Sequence, residues 1–195
     1  MSANGNKTLW SIGHSKHSIE VFTNLLADNA IEVVADVRTS PYSRMAPQFN
    51  LAELKQSLKL ENIEYIPMGE SLGGRPNQND FYDVDGHVFY DMMAQTHEFQ
   101  AGLDRLIEGI SKYRVAIMCS EGSPLKCHRT LLIARVLQLK GFNVQNILPD
   151  GSVQQQENLN ALINQDSLFP DEEVLSWRSA VSVRQESVHE TSSFD

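Results

Sequence analysis

The sequence has little cysteine, and no long apolar run. Its 195 residues include only two cysteines, Cys119 and Cys127, which are too few for a disulfide scaffold. No apolar run approaches the roughly 18 residues that a membrane-spanning helix needs. The first ten residues also lack the basic start and apolar centre of a signal peptide. We therefore expect a cytoplasmic protein that does not enter a membrane.

Positive charge is also scarce. Asp and Glu outnumber Lys and Arg by 25 to 16, which gives a formal net charge of -9. Such a balance argues against a protein that coats nucleic acid or an anionic membrane by bulk electrostatics, although it leaves room for a local basic cleft. The hydrophobic content of 41% is near the average of globular domains and excludes fibrous and wholly disordered classes.

Apolar runs and helical spacings alternate along most of the chain. Buried strands are predicted near residues 8–12, 31–37, 63–68, 114–118 and 144–148, with helical patterns between them. The alternation predicts an α/β fold: a three-layer, Rossmann-like, doubly wound and mostly parallel sheet of about five strands. We expect one domain over residues 8–176, a disordered start at 1–7 and a flexible, Ser- and Glu-rich tail at 177–195.

The chemically distinctive residues follow the predicted strands. In an open parallel sheet, ligands bind outside the carboxyl ends of the strands. The residues expected at that edge are His14 and Ser15 after the first strand, Asp36 and Arg38 after the second, Arg75 after the third, and Cys119, Glu121, Cys127, His128 and Arg129 after the fourth. We therefore predict that they line one cleft.

The same residues form an ordered set of short motifs. These are I-G-H-S at 12–15, D-V-R at 36–38 with Pro41 and Ser43 after it, L-G-G at 72–74, C-x-E at 119–121 and C-H-R at 127–129. Over roughly residues 8–150 the chain resembles the bacterial and archaeal family known as domain of unknown function 488. The resemblance implies an α/β fold and a site built from these motifs. It implies no particular reaction, because the family has no established biochemical activity.

The cysteine loop suggests a nucleophile. Cys119 is expected at a strand end, where Lys126, His128, Arg129 and a helix N-terminus would lower the pKa of its thiol. The tyrosine-phosphatase spacing is absent, because the sixth residue after Cys119 is Leu125 rather than arginine. The structural alternative is that both cysteines are small buried side chains without a chemical role.

Metal binding is a second interpretation of the loop. Cys119, Cys127, His128 and His14 are ligand types that zinc prefers. Their spacing matches no zinc finger or ribbon, and adjacent side chains such as Cys127 and His128 diverge at a regular helix start. We therefore predict no metal and no cofactor.

Anion recognition is the interpretation that the sequence favours. Arg38, Arg75 and Arg129 come from separate strand ends, and each offers a planar fork of donors suited to phosphate. The backbone of Cys127 and His128, at a helix N-terminus, would add N–H donors. The alternative is that the arginines form structural ion pairs with Asp36 and Glu121, and both arrangements can coexist.

Two functions follow. The first is an enzyme that acts on a phosphorylated small molecule, a nucleotide or a nucleic-acid component, with Cys119, Glu121 and His14 as catalytic residues. The residues expected to bind its anion are Arg38, Arg75, Cys127, His128, Arg129, Asp36 and Ser15. The alternative is a non-catalytic module that binds a nucleotide or nucleic acid in the same cleft. The sequence does not distinguish a monomer from a dimer.

Overall fold

A computed structural model describes residues 8–158 and 177–182 of the chain. The strands are β1 (Thr8–Gly13), β2 (Val33–Asp36), β3 (Glu64–Pro67), β4 (Val115–Cys119), β5 (Asn143–Ile147) and β6 (Val153–Gln155). The helices are α1 (Ile19–Asp28), α2 (Leu51–Leu60), α3 (Gly69–Leu72), α4 (Tyr90–Ala94), α5 (His97–Lys112) and α6 (Arg135–Leu139). A wider, π-type helical segment at Arg129–Ala134 leads directly into α6.

The strands form one sheet in the order β3-β2-β4-β1-β5-β6. Five strands are parallel, and β6 pairs antiparallel with β5. The predicted α/β class and mostly parallel sheet are confirmed. The sixth strand was not predicted, because Val153–Gln155 is short and polar and gives little β-strand signal.

Apolar clusters lie on both faces of the sheet. Ala116 and Met118 of β4 belong to a cluster with α1 and α2, whereas Val115 and Ile117 belong to the cluster on the other face with α3, α5 and α6. This alternation is the two-residue period of a strand buried on both sides. The fold is therefore three layers, with helices on each face of the sheet.

The order and direction of the strands determine which residues meet at the carboxyl edge of the sheet. β4 lies between β1 and β2, and all three run in the same direction. The chain therefore leaves the sheet at Gly13, Asp36 and Cys119 along one edge, as the sequence predicts. Just beyond these strand ends, the backbone N–H of His14 donates to the carbonyl oxygen of Cys119 at 3.0 Å, and this hydrogen bond joins the loop after β1 to the end of β4.

Residues 177–182 contact the domain. The Tyr90 N–H donates to the Trp177 carbonyl oxygen at 2.6 Å, and the Val88 N–H donates to the Ser179 hydroxyl at 2.9 Å. Arg178 also forms a 2.9 Å ion pair with Asp83. This part of the predicted flexible tail is bonded to the loop before α4, while the predictions for residues 1–7 and 183–195 lie outside the described residues. No helix within 8–158 or 177–182 is long and apolar enough to cross a membrane.

Candidate functional site

A cleft of about 940 Å³ opens at the carboxyl edge of the sheet. Its volume is within the range of sites that hold small molecules of nucleotide size. Seven of the ten residues predicted for the site line it: His14, Arg38, Arg75, Cys119, Glu121, Cys127 and His128. The other three, Ser15, Asp36 and Arg129, lie next to it without lining it.

Two glycines allow the loops to meet. A Cβ atom on Gly13 would lie 1.8 Å from the carbonyl oxygen of Glu121, and a Cβ atom on Gly74 would lie 2.6 Å from Cγ of the His128 ring. Neither position can hold a larger side chain without movement of its neighbour. The glycines of the I-G-H-S and L-G-G motifs therefore serve close backbone approach between the loops of the cleft.

Asp36 and Arg38 form a buried ion pair. Arg38 donates from Nε to Asp36 Oδ1 at 2.9 Å and from Nη2 to Asp36 Oδ2 at 2.6 Å, and the Tyr65 hydroxyl donates to Oδ2 at 2.7 Å. Nη2 also donates to the Phe49 carbonyl oxygen at 2.8 Å. Burial lowers the pKa of Arg38, but its hydrogen bonds with Asp36 and the Asp36 charge outweigh that effect and raise it. Asp36 therefore orients Arg38 rather than facing a ligand.

Arg38 keeps donor capacity toward the cleft. Its Nη1 carries two N–H groups. The one contact of Nη1 among the described residues is with His14 Nε2, at a long 3.5 Å. At least one N–H of this buried guanidinium is therefore available to a ligand, although Asp36 offsets most of its charge.

His14 is buried and stacks on the Phe49 ring with a centroid separation of 4.3 Å. Its Nδ1 lies 2.9 Å from the carbonyl oxygen of Ser15, so Nδ1 carries the proton and Nε2 bears the lone pair. Burial lowers the pKa of His14 by more than this hydrogen bond raises it, and the Arg38 charge lowers it further. The ring is therefore neutral near pH 7 and suited to accept a proton.

Arg129 has a different position from the one that the sequence predicts. Its side chain is only 1% exposed, and it donates from Nη1 to the Glu121 carbonyl oxygen at 2.6 Å and from Nη2 to the Gly122 carbonyl oxygen at 3.0 Å. The guanidinium lies under the cysteine loop and holds two of its carbonyl groups. The predicted Arg129–Glu121 contact exists, but through the backbone of Glu121 and not its carboxylate.

Two exposed cations lie at the walls of the cleft. Arg75 follows β3 and Lys126 lies in the loop after β4, and both side chains line the cleft. Among the described residues, neither is within ion-pair distance of a carboxylate. The exposed Glu121 carboxylate also lines the cleft. The walls thus combine two unpaired positive charges with one negative charge.

Cys119, Cys127 and His128 form a buried cluster at the floor of the cleft. The two Sγ atoms and His128 Nδ1 all lie within 4.8 Å of one another. Nδ1 is 3.8 Å from the sulfur of Cys119 and 3.8 Å from that of Cys127. Cys127 and His128 were predicted to diverge, yet their side chains converge although both residues lie at the helix start, where the Leu131 N–H donates to the Cys127 carbonyl oxygen at 2.9 Å.

The two thiols differ in acidity. A hydrogen bond from Cys127 and the nearby His128 and Arg129 side chains hold the pKa of Cys119 well below its ordinary value, despite burial. Burial and the neighbouring Cys119 raise the pKa of Cys127. Cys119 is therefore the more acidic of the two thiols.

Several residues of the site carry no sequence signal. Tyr65, Phe49 and the Val37 carbonyl oxygen contact Asp36, His14 and His128 respectively. Each lies on a different element from its partner, so only the folded chain brings them together.

The chain was compared with known proteins. A family model described as "Domain of unknown function DUF488" matches residues 18–136, more than half of the chain. The match includes the D-V-R, L-G-G, C-x-E and C-H-R motifs and confirms the resemblance drawn from them. No curated protein matches the chain.

Proposed function

The chain belongs to the DUF488 family, and we propose that it is an enzyme that acts on a phosphorylated small molecule, a nucleotide or a nucleic-acid component. The substrate would occupy the cleft at the carboxyl edge of the sheet. The proposal depends chiefly on one observation: Arg75 and Lys126, which form no ion pair with any residue that the structure describes, line the same cleft as the buried Cys119–Cys127–His128 cluster.

The cationic groups favour an anionic ligand. Arg75 offers a planar fork of N–H donors, Lys126 offers a mobile ammonium group, and Arg38 contributes the free N–H of Nη1 from the floor. Because the net charge of the whole chain is -9, this local positive region is the part of the surface that would attract a small anion. A duplex would meet repulsion from the rest of the molecule.

The remaining groups supply candidates for the chemical step. Cys119 at the end of β4 would be the reactive group of the floor, and the neutral His14 and the exposed Glu121 would transfer protons. Arg129 would keep the cysteine loop in place through the carbonyl groups of Glu121 and Gly122. In this assignment Arg129 and Asp36 are positioning residues.

Ligand-dependent melting tests the binding step. We expect inorganic phosphate, ribose 5-phosphate or AMP to raise the melting temperature of the full chain, because a ligand that binds only the native state stabilises it by mass action. The rise should shrink strongly in the Arg75→Ala, Lys126→Ala double variant. Arg105→Ala, which removes an exposed arginine of α5 away from the cleft, should respond like the wild type. Sodium chloride at matched ionic strength controls for general screening.

Turnover separates the two candidate functions. The enzyme should convert ribose 5-phosphate or AMP, seen as new ³¹P resonances over time, and Cys119→Ala should abolish conversion while retaining the ligand-dependent rise in melting temperature. Binding without conversion of any compound would favour the non-catalytic module. One observation favours this second candidate. Arg38 Nη1 lies 3.5 Å from His14 Nε2, so the lone pair with which His14 would accept a proton already faces a guanidinium donor.

A further inference from the structure

The floor of the cleft has the composition and spacing of a metal site. Cys119, Cys127 and His128 are all buried, all line the cleft, and present two sulfur atoms and one ring nitrogen within 4.8 Å of one another. Two thiolates and an imidazole are a donor set that selects zinc among the common divalent ions.

The distances agree with a tetrahedral ion. Zinc bonds of about 2.3 Å to sulfur and about 2.05 Å to nitrogen, at a tetrahedral angle, separate the S and N ligand atoms by about 3.6 Å. Both observed Sγ–Nδ1 distances are 3.8 Å. They exceed the tetrahedral value by about 0.2 Å, and the two sulfur atoms lie within 4.8 Å of each other, against about 3.8 Å for two sulfur ligands of one tetrahedral zinc.

The histidine is already oriented for metal binding. His128 Nε2 lies 3.0 Å from the carbonyl oxygen of Val37, which can only accept, so in the neutral ring the proton is on Nε2 and the lone pair of Nδ1 faces the two sulfur atoms. A metal-bound histidine almost always donates its other ring N–H to a carboxylate, a backbone carbonyl or water, as His128 does here. Gly74 packs against the other side of the ring, so the ring has little freedom to turn.

We propose that Cys119, Cys127 and His128 bind one Zn²⁺ ion whose fourth coordination position opens into the cleft. Three protein ligands with one open position is the arrangement of catalytic rather than structural zinc sites. His14 is not the fourth ligand, because it lies outside the cluster and its Nε2 faces Arg38. This reverses the prediction, made from sequence spacing, that the chain holds no metal.

The proposal deepens the proposed function and depends on it for the choice of substrate. Two thiolates balance the charge of Zn²⁺, and the buried Arg129 next to Cys119 leaves the region positive. An oxygen atom of a phosphorylated ligand held by Arg75 and Lys126 would then reach the open position. In the zinc-bound protein, Cys119 is a ligand and the ion becomes the electrophilic group of the floor.

Cobalt substitution tests the metal site without any substrate. The full chain, kept reduced and stripped of metal, is titrated with Co²⁺ and followed by absorption. We expect thiolate-to-cobalt charge-transfer bands and intense tetrahedral d–d bands that saturate at one Co²⁺ per chain, and displacement of both by one equivalent of Zn²⁺. Protein expressed with zinc should contain one zinc per chain by elemental analysis.

Variants identify the ligands. His128→Ala and Cys127→Ser should lose the saturable cobalt spectrum. Loss of a group that is hydrogen-bonded to a metal ligand lowers metal affinity about 10- to 100-fold, so loss of a ligand itself should lower the zinc affinity by at least that factor. His97→Ala, which removes an exposed histidine at the start of α5, is the matched control and should keep the wild-type spectrum. A His128→Ala protein with the wild-type cobalt spectrum would overturn the assignment of this ligand set.

One result overturns the proposal whether or not the variants fold. If the reduced wild-type chain shows no charge-transfer band and only substoichiometric zinc, the cluster binds no metal. The same holds if its two thiols are recovered as a disulfide and the reduced form remains spectroscopically silent. Because the titration uses no substrate, such a failure leaves phosphate-dependent melting untouched, whereas a failure of the proposed function leaves the cobalt spectrum intact.

Discussion

Replacement of Asp36 with asparagine tests how the floor of the cleft is held. The Asp36 carboxylate accepts hydrogen bonds from Nε and Nη2 of Arg38, from the Arg38 backbone N–H and from the Tyr65 hydroxyl, and it is 1% exposed. Asparagine keeps the shape but removes the negative charge. Arg38 would then be a buried cation without a carboxylate beside it, although its 2.8 Å hydrogen bond to the Phe49 carbonyl oxygen would remain.

The expected loss of unfolding free energy in Asp36→Asn depends on how deeply the ion pair is buried. Removal of one partner of a buried ion pair costs about 3–5 kcal/mol, because the other charge remains buried and uncompensated. Arg38 lines an open cleft, so water can reach part of it and the lower end, about 3 kcal/mol, is expected for Asp36→Asn. With a urea dependence of about 2 kcal/mol per molar, the unfolding midpoint should fall by about 1.5 M.

Urea denaturation with two further variants completes the test. Asp36→Asn combined with Arg38→Met should be less destabilised than the sum of the single changes, since no unpaired charge is left. Glu108→Gln, which breaks the exposed Glu108–Lys112 pair on α5, is the control and should leave the midpoint unchanged within error. A cost below about 1 kcal/mol for Asp36→Asn, or strict additivity in the double variant, would refute the argument.

Three further predictions concern the cleft and its surroundings. Gly74→Ala should displace the His128 ring and weaken the cobalt spectrum. Gly109→Ala on α5, where the nearest atom to the added Cβ would be Cγ2 of Val115 at 3.7 Å, should leave the spectrum intact, and equal spectra for the two variants would contradict the close-approach argument. Burial lowers the pKa of His14 in the folded chain, so as the pH falls the unfolded chain binds a proton on His14 before the folded chain does. The stability that comes from the neutral His14 ring is therefore complete above about pH 6.5 and is lost as the pH falls toward the lower folded pKa. Urea midpoints of His14→Gln should therefore fall less than those of the wild type between about pH 7 and pH 5, and parallel curves would count against a neutral buried ring. A chain that ends at residue 176 should melt at a lower temperature than the full chain, because the Tyr90 and Val88 N–H groups lose their Trp177 and Ser179 partners, and an unchanged melting temperature would show that these contacts add nothing.

The sequence predicts the fold and the edge where the site lies. Apolar runs such as 114–118 have the continuous character of strands covered on both faces, and the parallel order then brings His14, Arg38 and Cys119 to one edge. β6 was missed because its pairing with β5 depends on the turn before it and not on its own residues.

The sequence did not predict the direction in which the side chains of the site point. Arg129 and Arg75 were both predicted to face the cleft, yet Arg129 is buried against carbonyl groups whereas Arg75 lines the cleft. Cys127 and His128 were expected to diverge at a helix start, yet their side chains converge there. The direction of each of these side chains depends on the local backbone conformation, which the spacing of the motifs does not predict.

The location of a bound phosphate analogue tests the central claim most directly. Crystals of the full chain soaked with tungstate, an electron-dense tetrahedral oxyanion, should show an anomalous peak in the cleft within hydrogen-bond distance of Arg75 and Lys126 and near Arg38 Nη1. AMP in the soak should displace that peak. Tungstate found only on other surfaces, or a cleft peak that AMP does not displace, would contradict the account of this cleft as a site for phosphorylated ligands.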